Sequence, residues 1–117
     1  MKLTQLFLAF TPNVIVNAAA WTNVDLAEDE PDTARAINVD GPKNLATVAR
    51  TLGAKLIHIS TDYVFSGTGV EPWSEGSVKF PASVYGSTKS EGEDRALEIH
   101  PGRNFHCKNC LALQSLR

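Results

Sequence analysis

The 117-residue sequence has only two cysteines, Cys107 and Cys110, both near its C-terminal end. So few and so local a pair cannot staple a small secreted domain, which points to a reducing, cytoplasmic setting. No unbroken apolar run approaches the roughly 18 residues of a membrane-spanning helix, so no membrane is expected as a partner. Excess charge is lacking too. Eleven basic against thirteen acidic side chains leave a net charge of −2 with no Lys/Arg cluster, which argues against nucleic acid. Eight Gly and six Pro are too few for a disordered or collagen-like chain. What remains is one soluble globular domain with an ordinary 43% hydrophobic share and no internal repeat.

The N-terminal stretch has two readings. Lys2, the apolar Leu6-Phe7-Leu8-Ala9-Phe10 and the small Ala18-Ala19-Ala20 mimic an export signal with its cleavage site. Thr4 and Gln5 interrupt that run, however, and Thr11-Pro12-Asn13 breaks it before a second apolar element. Residues 2–10 therefore read as the end of a helix stopped by Pro12. Val14-Ile15-Val16 reads as a strand buried on both faces of a parallel sheet. From Pro31, apolar or small residues recur at spacings of three and four through Ala34, Ile37, Gly41, Leu45, Val48 and Leu52 until Gly53. This is one long helix whose weak point is Pro42, expected to kink or divide it. Lys55–Ser60 is a second buried strand, and the βαβ order implies α/β architecture with a right-handed crossover. A Gly/Pro-rich connection over 66–83 reads as a functional loop, a third helix is expected over 84–100, and residues 104–108 are the candidate for another strand. The acidic stretch of Asp25, Glu28, Asp29, Glu30 and Asp32 is read as solvated carboxylates around a helix N-terminus, not as a metal site.

Tyr85 and Lys89 are four apart at the start of the third helix, which places phenol and ammonium on one face. A phenol with an ordinary pKa near 10 is a poor proton donor at neutral pH, and a neighbouring ammonium stabilises its phenolate. Alone, the spacing is weak evidence, since two solvated side chains would produce it. Ser60, Thr61 and Asp62 raise its weight because they stand at the C-terminal end of a strand, the edge where open α/β sheets bind ligands. The preceding strand ends in the small Asn17-Ala18-Ala19-Ala20, where an extended ligand could lie close to the backbone.

Four ordered motifs then converge: Asn17-Ala18-Ala19-Ala20-Trp21-Thr22-x-Val24-Asp25-x-Ala27-Glu28; Asn38-x-x-Gly41-Pro42-x-Asn44-Leu45-Ala46; His58-Ile59-Ser60-Thr61-Asp62-Tyr63-Val64-Phe65-x-Gly67; and Val84-Tyr85-Gly86-x-Thr88-Lys89-x-x-Gly92-Glu93. Together they resemble the dTDP-4-dehydrorhamnose reductases, a family of extended short-chain dehydrogenase/reductases, from about Pro12 to Gly102. The resemblance implies a Rossmann-type NAD(P)-binding fold that reduces dTDP-4-dehydro-L-rhamnose to dTDP-L-rhamnose, a precursor of surface polysaccharide, with NADPH or NADH. By the same resemblance Tyr85 is the catalytic acid, Lys89 its tuner and a ribose ligand, and Thr61 the hydroxyl partner of the reacting carbonyl. Asp62 lies beside it on the sugar, and Ala20, Trp21 and Thr22 form the turn along the cofactor. Asn38 matches a helix asparagine that serves a proton relay in the wider superfamily. A homodimer is the assembly implied for full-length members.

The sequence also departs from that pattern. The family's glycine-rich turn, which holds the pyrophosphate, has no counterpart, because no Gly precedes Gly41. The expectation is a partial fold, with the first strands and the C-terminal substrate lobe missing: residues 1–103 a partial NAD(P)-binding domain and 104–117 an atypical tail, polar and Cys-bearing where the family has an apolar strand. One Cys-x-x-Cys with no second ligand pair does not make a metal site. Two other functions stay open: a non-catalytic binding or regulatory relative of the fold, and a related nucleotide-sugar epimerase or dehydratase.

Overall fold

The computed structural model describes residues 2–61, 64, 81–102 and 104–108; of Lys2 and 104–108 it describes the backbone alone. Helix α1 (Lys2–Phe10) ends where Pro12 disfavours a helical residue before it, and Thr11 turns out at φ +49°. Strand β1 (Val14–Asn17) follows, then α2 (Val24–Asp29), capped by the Asn23 side chain, which accepts from the N–H of Leu26 at 3.0 Å. Next come α3 (Pro31–Arg35), a π-helical turn (Ala36–Asp40) and α4 (Gly41–Leu52) without interruption. Gly53 closes α4 at φ +66°, the left-handed cap its position suggested. Strand β2 (Lys55–Ser60), helix α5 (Val84–Ile99) and strand β3 (Asn104–Lys108) complete the described elements.

The sheet runs β1-β2-β3, all parallel, with Val14 opposite Lys55 and Leu56 opposite Asn104 in register. Among the described residues, strand, helix, strand, helix, strand in this order is the topology of one half of a doubly wound α/β fold. The core gathers Ile15 of β1, Leu56 of β2, Ala46, Val48 and Ala49 of α4 and Ala96 of α5, with Phe7 of α1 packed against it. These helices therefore cover the sheet face that carries Ile15 and Leu56. Val14 and Val16 lie on the other face and are 46% and 60% exposed. The expectation of a strand buried on both faces is corrected: β1 has a strand neighbour on one side among the described residues, and its helices lie on one face.

Pro42 marks where the expected long helix divides: the π-helical turn just before it separates α3 from α4, while the helical run stays continuous. The proline has no N–H to give the carbonyl of Asn38 four residues earlier, and the chain absorbs this by widening into the π turn just before Gly41. Helix α5 crosses at this point. A Cβ built on Gly92 would stand 2.0 Å from the Asn38 carbonyl oxygen, so glycine is what lets the two helices approach.

The acidic stretch behaves mostly as read. Asp25 and Asp32 sit in first turns, where the helix dipole favours them. Glu28 does more than face solvent: its Oε1 accepts from the N–H of Val84 at 2.8 Å and caps α5 jointly with Ser83, whose Oγ accepts from Gly86 at 3.0 Å. Arg35 forms a two-point ion pair with Glu91, tying α3 to α5.

Candidate active site

The C-terminal ends of two parallel strands meet α5 along one edge of the sheet. At the β1 exit, the Asn17 side-chain oxygen accepts from the N–H of Ala19 at 3.1 Å, a local turn that short polar residues favour. This orients its Nδ2, which donates to Nδ1 of His58 on β2 at 3.0 Å, both groups being buried. The pair lies at matched register, so it locks the two strand ends to each other. Beyond it, Ala18 and Ala19 are exposed and without bulk.

Helix α5 is held against β2 at both ends. His100 Nε2 donates to the carbonyl of Ala54, just before β2, at 2.7 Å. At the other end, Lys89 Nζ donates to the carbonyl of Ile59 at 2.8 Å. Thr61 follows two residues later at the exit of the strand and is 8% exposed. Tyr85 is one helical turn before Lys89 and 9% exposed. Thr61, Tyr85 and Lys89 thus stand along the same edge of the sheet. Asp62 and the 66–80 part of the expected loop lie outside the described residues.

Lys89 is 2% exposed. Burial pushes its ammonium below the usual lysine range, and Glu93, also buried one turn further along α5, pulls in the opposite direction.

The turn of Ala20, Trp21 and Thr22 reaches this edge from β1. The Trp21 N–H donates to Asn38 Oδ1 at 2.9 Å, and its indole packs with a small cluster of Ala27, Ala34 and Tyr85. Asn38, 17 residues from Trp21, and Thr88, a further 50 along, are polar residues that join this turn to α5. Sequence reasoning assigned no role to Thr88, and the one signal for it was its place within the Tyr-x-x-x-Lys segment.

The residues present fit the nicotinamide end of a dinucleotide: small residues at the β1 exit, with a phenol and an ammonium at the same sheet edge. They offer the pyrophosphate no glycine-rich cradle, since no Gly precedes Gly41. A separate cavity of about 180 Å³ lies between α1 and α4, lined by Thr4, Leu8, Asn44, Thr47, Val48 and Thr51. It carries no titratable group, and the hydroxyls of Thr47 and Thr51 are spent on backbone carbonyls of their own helix.

Residues 1–104 match the family model described as RmlD substrate binding domain. Over 94 residues the chain is 49% identical to dTDP-4-dehydrorhamnose reductase from Streptomyces griseus, covering 80% of this chain and 31% of that protein. It is 47% identical over 93 residues to Methionine adenosyltransferase 2 subunit beta from Bos taurus, covering 80% of this chain and 28% of the relative. Among solved structures, dTDP-4-dehydrorhamnose reductase from Bacillus anthracis in complex with NADP superposes with a TM-score of 0.88 at 38% identity, covering 92% of this chain and 38% of that one. The chain spans about a third of the length of the relatives it matches.

Proposed function

Since the chain belongs to the RmlD substrate binding domain family, we propose that it carries the proton-transfer half of a dTDP-4-dehydrorhamnose reductase site. The reaction is reduction of the 4-keto group of dTDP-4-dehydro-L-rhamnose to the alcohol of dTDP-L-rhamnose. NADPH or NADH supplies the hydride. Tyr85 donates the proton to the sugar oxygen, Lys89 stabilises the resulting phenolate and contacts the ribose, and Thr61 hydrogen-bonds the carbonyl with Asp62 beside it. Ala20, Trp21 and Thr22 line the cofactor. The setting is the cytoplasm, where sugar nucleotides and nicotinamides are pooled.

One observation carries this reading: the buried Lys89 ammonium is fastened to the Ile59 carbonyl, one helical turn from Tyr85 and two residues from Thr61. A lysine serving only solubility would lie at the surface.

The test grafts residues 12–102 into the Streptomyces griseus reductase in place of its matching segment and follows NADPH consumption with the keto sugar nucleotide. The graft is expected to turn over, and Tyr85→Phe within it to lose about 10²- to 10⁴-fold in kcat, the usual worth of a positioned acid. A folded graft indifferent to Tyr85→Phe overturns the assignment.

A second reading is a binding or regulatory subunit, favoured by the 47% identity to the bovine protein named as a subunit beta. It expects the isolated chain to bind a catalytic partner and to keep that binding when Tyr85 is replaced by Phe.

A further inference from the structure

Asn38 lies in the π turn with its side chain 1% exposed. An amide side chain has two N–H donors and a carbonyl acceptor. Here Oδ1 accepts from the Trp21 N–H at 2.9 Å, while Nδ2 donates to the Trp21 carbonyl at 3.3 Å and to Thr88 Oγ1 at 3.1 Å. The Thr88 hydroxyl donates in turn to the carbonyl of Tyr85 at 3.0 Å. One side chain thus grips both backbone groups of Trp21, as a neighbouring strand would, and passes the grip through Thr88 to the residue proposed as proton donor. Both amide donors and the acceptor are engaged, so the whole side chain is committed to this framework.

We propose that Asn38 is a positioning residue that fixes the Ala20–Thr22 turn against the Tyr85–Lys89 helix, so that a dinucleotide lying along the turn meets the phenol in register. The π turn is what makes this reach available. In an uninterrupted α-helix Asn38 would keep the regular 3.6-residue phase of its neighbours, whereas the widened turn shifts that phase toward Trp21 and Thr88. The inference rests on the reading of Trp21 as a cofactor contact and Tyr85 as the acid.

The test uses the whole chain with Trp73→Phe, which leaves Trp21 as its one tryptophan. Thr88→Val keeps shape but removes the hydroxyl link, Thr88→Ser restores it, and Asn38→Asp keeps the acceptor for Trp21 while removing both donors. Loss of one such buried bond is expected to favour the released turn by about tenfold. Trp21 emission is therefore expected to move to the red and its acrylamide quenching to rise in Thr88→Val and Asn38→Asp, at unchanged far-ultraviolet circular dichroism, with Thr88→Ser like the parent. Identical emission and quenching in all variants would overturn the clamp. In the grafted reductase, Thr88→Val is expected to lower kcat about tenfold with little change in KM for the sugar nucleotide. If Trp21 responds while the graft is indifferent to Tyr85→Phe, the clamp stands and the reductase reading falls. If Trp21 does not respond, the clamp falls whatever the graft does.

Discussion

Replacing Gly92 by alanine is expected to destabilise the protein strongly, against the usual sense of the exchange. In a helix interior, Gly to Ala normally stabilises by up to about 1 kcal/mol, because alanine has less backbone freedom to lose. At Gly92 the new Cβ would stand 2.0 Å from the Asn38 carbonyl oxygen, whereas ordinary contact begins at 3.4 Å. The obstacle is backbone, so no rotamer relieves it, and the helices would have to part by more than an ångström. That movement stretches the Asn38–Thr88 bond of 3.1 Å and loosens the small-residue seam of Ala46, Ala49 and Ala96. Overpacking of a fitted core costs about 1–3 kcal/mol, occasionally more, and an immovable carbonyl places this case near the top. The net expectation is a loss of about 3 kcal/mol, or roughly 10 °C in Tm for a domain of this size. Gly41 is the matched control: it has right-handed helical angles and open space where a Cβ would go, so Gly41→Ala is expected to be neutral or stabilising. Urea unfolding of both variants, followed by circular dichroism, measures the difference. A Gly92→Ala midpoint at or above that of the parent would refute the close-approach argument.

Ser83→Ala removes the side-chain cap of α5 and is expected to cost about 1 kcal/mol in urea unfolding, with Glu28 still holding the Val84 N–H. Because burial lowers the folded-state pKa of Lys89 below 10.5, the unfolded chain binds the extra proton between the two values. The Lys89 contribution to stability therefore rises with pH across that window and is level above it. Lys89→Met is expected to lack this alkaline rise, and equal slopes in parent and variant from neutral to alkaline pH would count against the burial. Glu91→Gln breaks the ion pair with Arg35 at a half-exposed site, so its effect on the unfolding midpoint is expected to be small and to fade as salt is added.

The elements that rest on local chemistry were legible in the sequence. Helix α5 was read over 84–100 and runs Val84–Ile99, and the Gly53 cap and β2 fall where period and turn residues put them. The exposure of Val14 and Val16 was not legible: a β-branched run shows that a strand can be buried, but only its neighbours decide whether it is. Helix α2 went unread because Val24, Leu26 and Ala27 stand among acidic residues, although Asn23 three places before Leu26 was an available cap signal. At the candidate site, spacing and strand position single out Tyr85, Lys89 and Thr61. Asn38 and Thr88 owe their meeting to the crossing of two helices 50 residues apart, which no local pattern records.

The widened turn between Ala36 and Asp40 also bears on how this segment tolerates changes in length. Excising a single residue there would restore regular helical winding, a locally favourable outcome. Four residues at regular α-helical winding turn through about the same angle as the five of the widened turn, so α3 would keep its orientation to α4 and Arg35 its place opposite Glu91. The phase inside the turn would change, and the Trp21 peptide would lose its amide partner. A one-residue deletion here is thus absorbed by the helices on either side and felt at Asn38.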